Sequence, residues 1–167
     1  MGSVMGTSAG RGLSGDDCTA LRDLVNRYAA RVDDRDPVGV AELFAHDGVL
    51  TTAAPPKSLG PTHENHGRAA IEQAMAGLDG LVASFHAVTG EVFDPGADSD
   101  SATGRVACIA HHVSERNGEL RDVAWGLTYR DTYRREGSGW LIATRSAHVT
   151  FVSAAPVKFA HDTGTAW

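Results

Sequence analysis

Near residue 81 the apolar residues of this chain change their spacing, and that change limits the fold more than any other feature. Upstream they recur at every third or fourth position, as on one face of a helix; downstream they alternate, as on one face of a strand. The alternating part divides into candidate strands at residues 83–93, 103–115, 121–135 and 140–152. Asn117-Gly118 separates two of these with strong hairpin chemistry, and Glu136-Gly137-Ser138-Gly139 separates the next two. Long strands joined by tight turns predict an antiparallel meander.

The upstream part predicts helices. Asp16 and Asp17 are candidate caps for a first helix, along which Leu21, Leu24, Val25, Tyr28, Ala29 and Val32 form one apolar face. Asp36-Pro37 opens a second helix through Val38, Val40, Leu43 and Phe44, ended by His46-Asp47-Gly48. Residues 49–53 read as a short strand and 54–66, rich in Pro, Gly and His, as a long loop. A third helix runs from Gly67 through Met75 to Leu78 and stops at Asp79-Gly80. Three helices can cover only one face of the sheet, so the expected class is α+β with a second sheet face left to solvent or to a dimer.

The chain has 167 residues, 42% of them hydrophobic, which suits one domain with a sizeable core. We assign residues 16–152 to that domain, 1–15 to a Gly- and Ser-rich disordered leader, and 153–167 to a tail without clear period. Fifteen Lys and Arg against 21 Asp and Glu give a net charge of -6, which argues against nucleic acid and anionic membranes as partners. No apolar run is long enough to span a bilayer. Cys18 and Cys108 are too few for a disulfide framework, so a reduced, cytoplasmic setting is expected.

Several strings carry a family resemblance: LVNRYAARVD at 24–33, LFAHDGV at 43–49, HGRAAI at 66–71, SFHAVTG at 84–90 and YRDTYRREGSGW at 129–140. Together with the element order they resemble the SnoaL-like superfamily, whose members include polyketide cyclases, scytalone dehydratase, a dehydrochlorinase, ketosteroid isomerase and nuclear transport factors. The resemblance implies an α+β cone: three N-terminal helices packed on a curved antiparallel sheet around an internal pocket. It also implies a catalytic His86 at the start of the strand after the third helix, beside Asp33 at the end of the first. The dehydratase's second histidine falls on His111 or His112, which alternation sends to opposite faces. The resemblance leans to His111 as catalytic, while His112 keeps more apolar company.

Without the resemblance, the favoured reading of His86 is a core or edge histidine bonded to a backbone carbonyl. With it, His86 is an acid–base residue, its imidazole suited to proton transfer near neutral pH and oriented by Asp33. Trp125 and Tyr129 lie on an aromatic stripe that lines the expected pocket, and Tyr28, five residues before Asp33, joins His112 as a candidate binding residue. His63-Glu64-Asn65-His66 lacks the spacing of a zinc helix, and no phosphate loop or nucleophile elbow occurs. No metal or cofactor is therefore implied. The expected function is a cofactor-independent lyase, isomerase or cyclase acting on a small cyclic or polyketide-like molecule. A non-catalytic binding or dimerisation module and a water-activating hydrolase, such as an epoxide hydrolase, remain open. A homodimer through the uncovered sheet face is also expected.

Overall fold

The computed structural model describes residues 12–158. Helix α1 spans Gly15–Asp33 and begins at a capping box: Ser14 accepts from the Asp17 amide, and the Asp17 side chain accepts from the Ser14 amide at 3.1 Å. Ser14 and Gly15 are thus part of the helix start and not of a leader, and Asp16 and Asp17 lie inside the first turn. The rest of the expected leader, residues 1–11, lies outside the described residues. Asp17 also accepts from the Trp140 indole at 3.1 Å and from Arg135, which ties the helix start to the far end of the sheet.

Helix α2, Pro37–Glu42, is capped by Asp36, whose side chain accepts from the Gly39 amide at 2.8 Å. It ends earlier than its apolar spacing suggests. Leu43 is its C-cap and Phe44 opens strand β1, Phe44–Ala54, so His46-Asp47-Gly48 lies within a strand and does not terminate a helix. Between Phe44 and Val49 the register of β1 jumps, and that irregularity accommodates the turn-like residues.

The expected loop at 54–66 is largely strand β2, Ser58–His66, paired antiparallel with β1. Its side chains are mostly exposed and it lies at the edge of the sheet, so backbone pairing holds it without an apolar alternation that a sequence could reveal. Helix α3, Gly67–Ala76, follows and runs into a 3-10 turn at Gly77–Gly80.

Strands β3 (Ala83–Pro95), β4 (Ser101–Arg116), β5 (Glu119–Glu136) and β6 (Gly139–Pro156) form the expected meander. Asn117 and Gly118 both take positive φ, at 55° and 80°, as a tight hairpin requires. The six-stranded order is β2-β1-β6-β5-β4-β3. One pairing corrects the antiparallel expectation: β1 runs parallel to β6. Strand β6 also continues past Val152, pairing Ser153 to Pro156 with the start of β5, so the structured chain reaches into the expected tail. Residues 159–167 lie outside the described residues.

The fold is mixed α+β, with a six-stranded sheet and three helices. Helix α1 packs on β3 and β6, and α3 packs on β1 and β2. The core joins the apolar face of α1 to Val106, Cys108 and Ala110 on β4, Leu127 and Tyr129 on β5, and Ile142 on β6. Among the described residues no helix is long and apolar enough to cross a membrane.

One charged cluster lies inside this core. Arg145 on β6 makes a two-pronged bond to Asp131 on β5 at 3.0 and 2.6 Å, and the Tyr133 hydroxyl donates to the same carboxylate at 2.6 Å. The guanidinium also lies 4.1 Å from the Tyr28 ring and 4.5 Å from the Tyr129 ring. Removing one partner strands the other charge in a dry interior, so Asp131→Ala is expected to destabilise the fold by roughly 3–5 kcal/mol in urea unfolding. Replacing both Asp131 and Arg145 with apolar residues should recover most of that loss.

Candidate active site

Asp33 is the last residue of α1, and its carboxylate reaches across to β3. Its Oδ1 accepts from the Ser84 hydroxyl at 2.9 Å and from His86 Nδ1 at 2.7 Å, and its Oδ2 accepts from the His86 amide at 2.7 Å. Burial works against a charge on Asp33. The bonds from the His86 ring and backbone and from Ser84 outweigh it, so the carboxyl sits below its usual range. The ionised carboxylate accepts at Nδ1, which fixes the proton there and leaves Nε2 as the free basic nitrogen of the ring. Only 7% of the His86 side chain is exposed.

His86 lines a cavity of about 410 Å³, within the range of small-molecule sites. Its walls are mostly apolar: Val32 from α1, Leu50 from β1, Met75, Leu78 and Leu81 from the α3 region, and Leu127 from β5. Tyr28, Trp125 and Tyr129 supply the aromatic wall. Burial pushes the Tyr28 hydroxyl up to about 12 and raises that of Tyr129 as well, so both keep their protons at neutral pH. Trp125 lies 4.4 Å, ring to ring, from His112, and its buried indole nitrogen has no partner.

The two neighbouring histidines separate as alternation requires, but in the opposite sense to the one the resemblance favours. His112 enters the cavity, with its ring 5.8 Å from that of His86 and nearly perpendicular to it. His111 points to the other face, where its Nδ1 meets Asp122 at 2.6 Å and its ring lies beside Phe85. The signal was the apolar company of His112: Val106, Cys108 and Ala110 share its side of β4 and are buried under the helices. His112 Nδ1 donates to the Val123 carbonyl at 3.2 Å, so its Nε2 is also an acceptor. Burial, aided by the nearby His86, lowers its pKa from 6.5 to about 4.

The sequence reading missed Ser84, although alternation from His86 places it on the same face. It also missed the Met75, Leu78 and Leu81 wall, which comes from a helix end whose position depends on the tertiary fold. Cys108, buried beneath the site, has its thiol pushed up to about 11 and is no nucleophile at neutral pH. His63, Glu64 and His66 are on β2 and not in a loop; His66 and Glu64 form an exposed pair at 2.9 Å. Among the described residues no group of three or more His, Cys, Asp or Glu is placed to hold a metal ion.

The sequence profile of the SnoaL-like domain matches residues 15–146, nearly the whole described chain. The chain belongs to the SnoaL-like family. Its fold is shared with several solved structures. A scytalone dehydratase-like protein from Novosphingobium aromaticivorans superposes with a TM-score of 0.71 at 21% identity, over 91% of this chain and 96% of that one. The hexachlorocyclohexane dehydrochlorinase LinA Type2 gives 0.68 at 14% identity, over 89% and 95%. ActVI-ORFA from Streptomyces coelicolor gives 0.64 at 18% identity, over 80% and 97%. At these identities the likeness extends to the fold alone. No curated protein sequence matches the chain significantly.

In this SnoaL-like domain the half-buried His112 sets a pH dependence of stability. The folded state resists protonating it until about pH 4, whereas the unfolded chain takes the proton near pH 6.5. Its contribution is therefore full above about pH 6.5 and is lost as the pH falls toward 4, by up to about 3 kcal/mol. His112→Asn keeps a donor for the Val123 carbonyl but does not titrate. Urea unfolding between pH 7 and pH 4 should show a flatter slope for this variant than for wild type, and parallel slopes would refute the assignment.

Proposed function

We propose that this protein is a cofactor-independent acid–base enzyme, a dehydratase-type lyase, isomerase or cyclase, working in the pocket of a SnoaL-like cone on a small, largely apolar cyclic or polyketide-like molecule. The observation that carries this reading is the Asp33–His86 pair on the cavity wall, with Nδ1 held by a carboxylate and Nε2 left to act. The cavity volume and its aromatic wall suit a molecule of one or two rings. The names of two fold relatives, a scytalone dehydratase-like protein and a dehydrochlorinase, point to elimination reactions in the same superfamily.

In this mechanism His86 Nε2 takes a proton from a carbon next to an electron-withdrawing group, and Asp33 stabilises the imidazolium that forms. The same proton then goes to a departing hydroxide in an elimination, or to a different carbon in an isomerisation. The Tyr129 hydroxyl, which keeps its proton, donates to the substrate oxygen as negative charge builds there. His112, neutral and with Nδ1–H engaged, accepts a hydrogen bond from a substrate hydroxyl at Nε2. His111, bonded to Asp122 on the opposite face, takes no part.

We also propose a homodimer in which a second copy covers the sheet face opposite the helices. Phe85, Ile109 and Phe151 are exposed there, and Phe151 lies over Gly126, where a Cβ would come within 2.1 Å of its ring. A contiguous apolar patch of this kind suits a self-complementary contact between identical copies. Light scattering should give the mass of a dimer, with Phe151→Arg shifting it toward monomer; a monomeric wild type would refute the pairing.

For the reaction, wild type and variants should be incubated in D₂O with cyclic enones, hydroxynaphthols and polyketide-like phenols, and deuterium uptake and product formation followed by mass spectrometry. Wild type should exchange or convert at least one of these. His86→Ala should abolish this, and Asp33→Asn should lower it by roughly 10²-fold or more. Wild-type rates in His86→Ala would rule out His86 as the base.

A further inference from the structure

We infer that Ser84 and Arg35 are positioning residues that set how strongly Asp33 holds the Nδ1 proton of His86, by sharing the charge of the Asp33 carboxylate. The inference rests on the proposed role of His86 as the base. Asp33 sits at the C-terminal end of α1, where the helix dipole disfavours a carboxylate. The positive charge that answers it is Arg35, two residues on, but the guanidinium reaches Asp33 through a hydroxyl and not by direct pairing. Arg35 Nη1 donates to the Val32 carbonyl at 3.0 Å and to Ser84 Oγ at 2.6 Å, and Ser84 Oγ donates to Asp33 Oδ1 at 2.9 Å. A guanidinium has no acceptor, so the direction is fixed: Arg35 to Ser84 to Asp33, each bond polarising the next.

Oδ1 is also the oxygen that receives His86 Nδ1–H. Ser84 and His86 therefore share one acceptor, and the more charge Ser84 draws, the less is available to hold a proton on the imidazole.

The backbone at Arg35 points the same way. The Asp36 amide bonds to the Arg31 carbonyl at 2.9 Å and the Arg35 amide to the Val32 carbonyl at 3.3 Å, which is the helix-ending pattern that places a left-handed residue after the cap. That residue is usually glycine, yet here it is Arg35 at φ 58°. The backbone would favour glycine, so the side chain accounts for the arginine, and its contacts are a helix-end carbonyl and the serine that bonds Asp33.

The test uses proton NMR of the intact protein without substrate, following the downfield Nδ1 proton of His86, identified by its loss in Asp33→Asn. In Ser84→Ala this resonance should move further downfield, as Oδ1 turns wholly to the imidazole, and in Arg35→Gly it should move the same way by less. Ser84→Thr, which restores the hydroxyl, should return it to the wild-type position. Arg35→Gly should melt at or above the wild-type temperature, because glycine takes the left-handed conformation freely. A resonance unmoved in both Ser84→Ala and Arg35→Gly overturns the inference, as does a lower melting temperature for Arg35→Gly with an unmoved resonance, which would assign Arg35 to the helix end alone. Because the readout needs no turnover, its failure is separable from failure of the proposed reaction.

Discussion

The carboxylate of Asp33 joins the two halves of this molecule. It lies at the end of the first helix, and all three of its hydrogen bonds come from the start of β3, so it fixes how β3 lies against the end of α1. A negative charge at that end of a helix is unfavourable unless donors surround it. Here the donors are the His86 ring, the His86 backbone and a serine, and together they keep the group ionised despite its burial. The interaction that seats the helix is therefore the one that orients the imidazole, and the two cannot be changed independently.

Beneath the cavity a second set of charges is arranged on the opposite principle. Asp131 and Arg145 are sealed from solvent and satisfy one another, with Tyr133 supplying a further donor. The rings of Tyr28 and Tyr129 separate this pair from the cavity: each lies against the guanidinium and also forms part of the cavity wall. A buried ion pair contributes little net stability compared with apolar packing. It does hold two aromatic rings in fixed positions, and a cavity needs fixed walls to orient a small molecule.

Much of this was legible in the sequence because the signals were local. The apolar face of α1, the Asn117-Gly118 hairpin and the change of period near residue 81 each depend on a few neighbouring residues, and each element formed where they indicate. What was not legible depends on distant partners. Strand β2 is held by backbone bonds to β1 and shows no alternation, and the parallel pairing of β1 with β6 joins segments almost a hundred residues apart. The resemblance paired His86 with Asp33, and the two are in contact, but telling whether His111 or His112 faces the cavity required knowing which face of β4 the helices cover. The burial of Val106, Cys108 and Ala110 decides it, and their apolar pattern was the better guide than alignment to a distant relative.

The two histidines of the cavity are chemically alike and only 5.8 Å apart, yet their surroundings give them different work. His86 has a carboxylate on Nδ1, so an imidazolium formed there is stabilised at once. His112 has only a neutral carbonyl on Nδ1 and a histidine neighbour, and burial holds it neutral down to about pH 4. In the proposed reaction this difference makes His86 the proton acceptor and His112 the neutral hydrogen-bonding partner. Protonating His86 makes protonation of His112 harder still, because two like charges at this separation in a largely apolar cavity repel strongly. The asymmetry between the two rings is therefore the Asp33 carboxylate, which His86 has and His112 lacks.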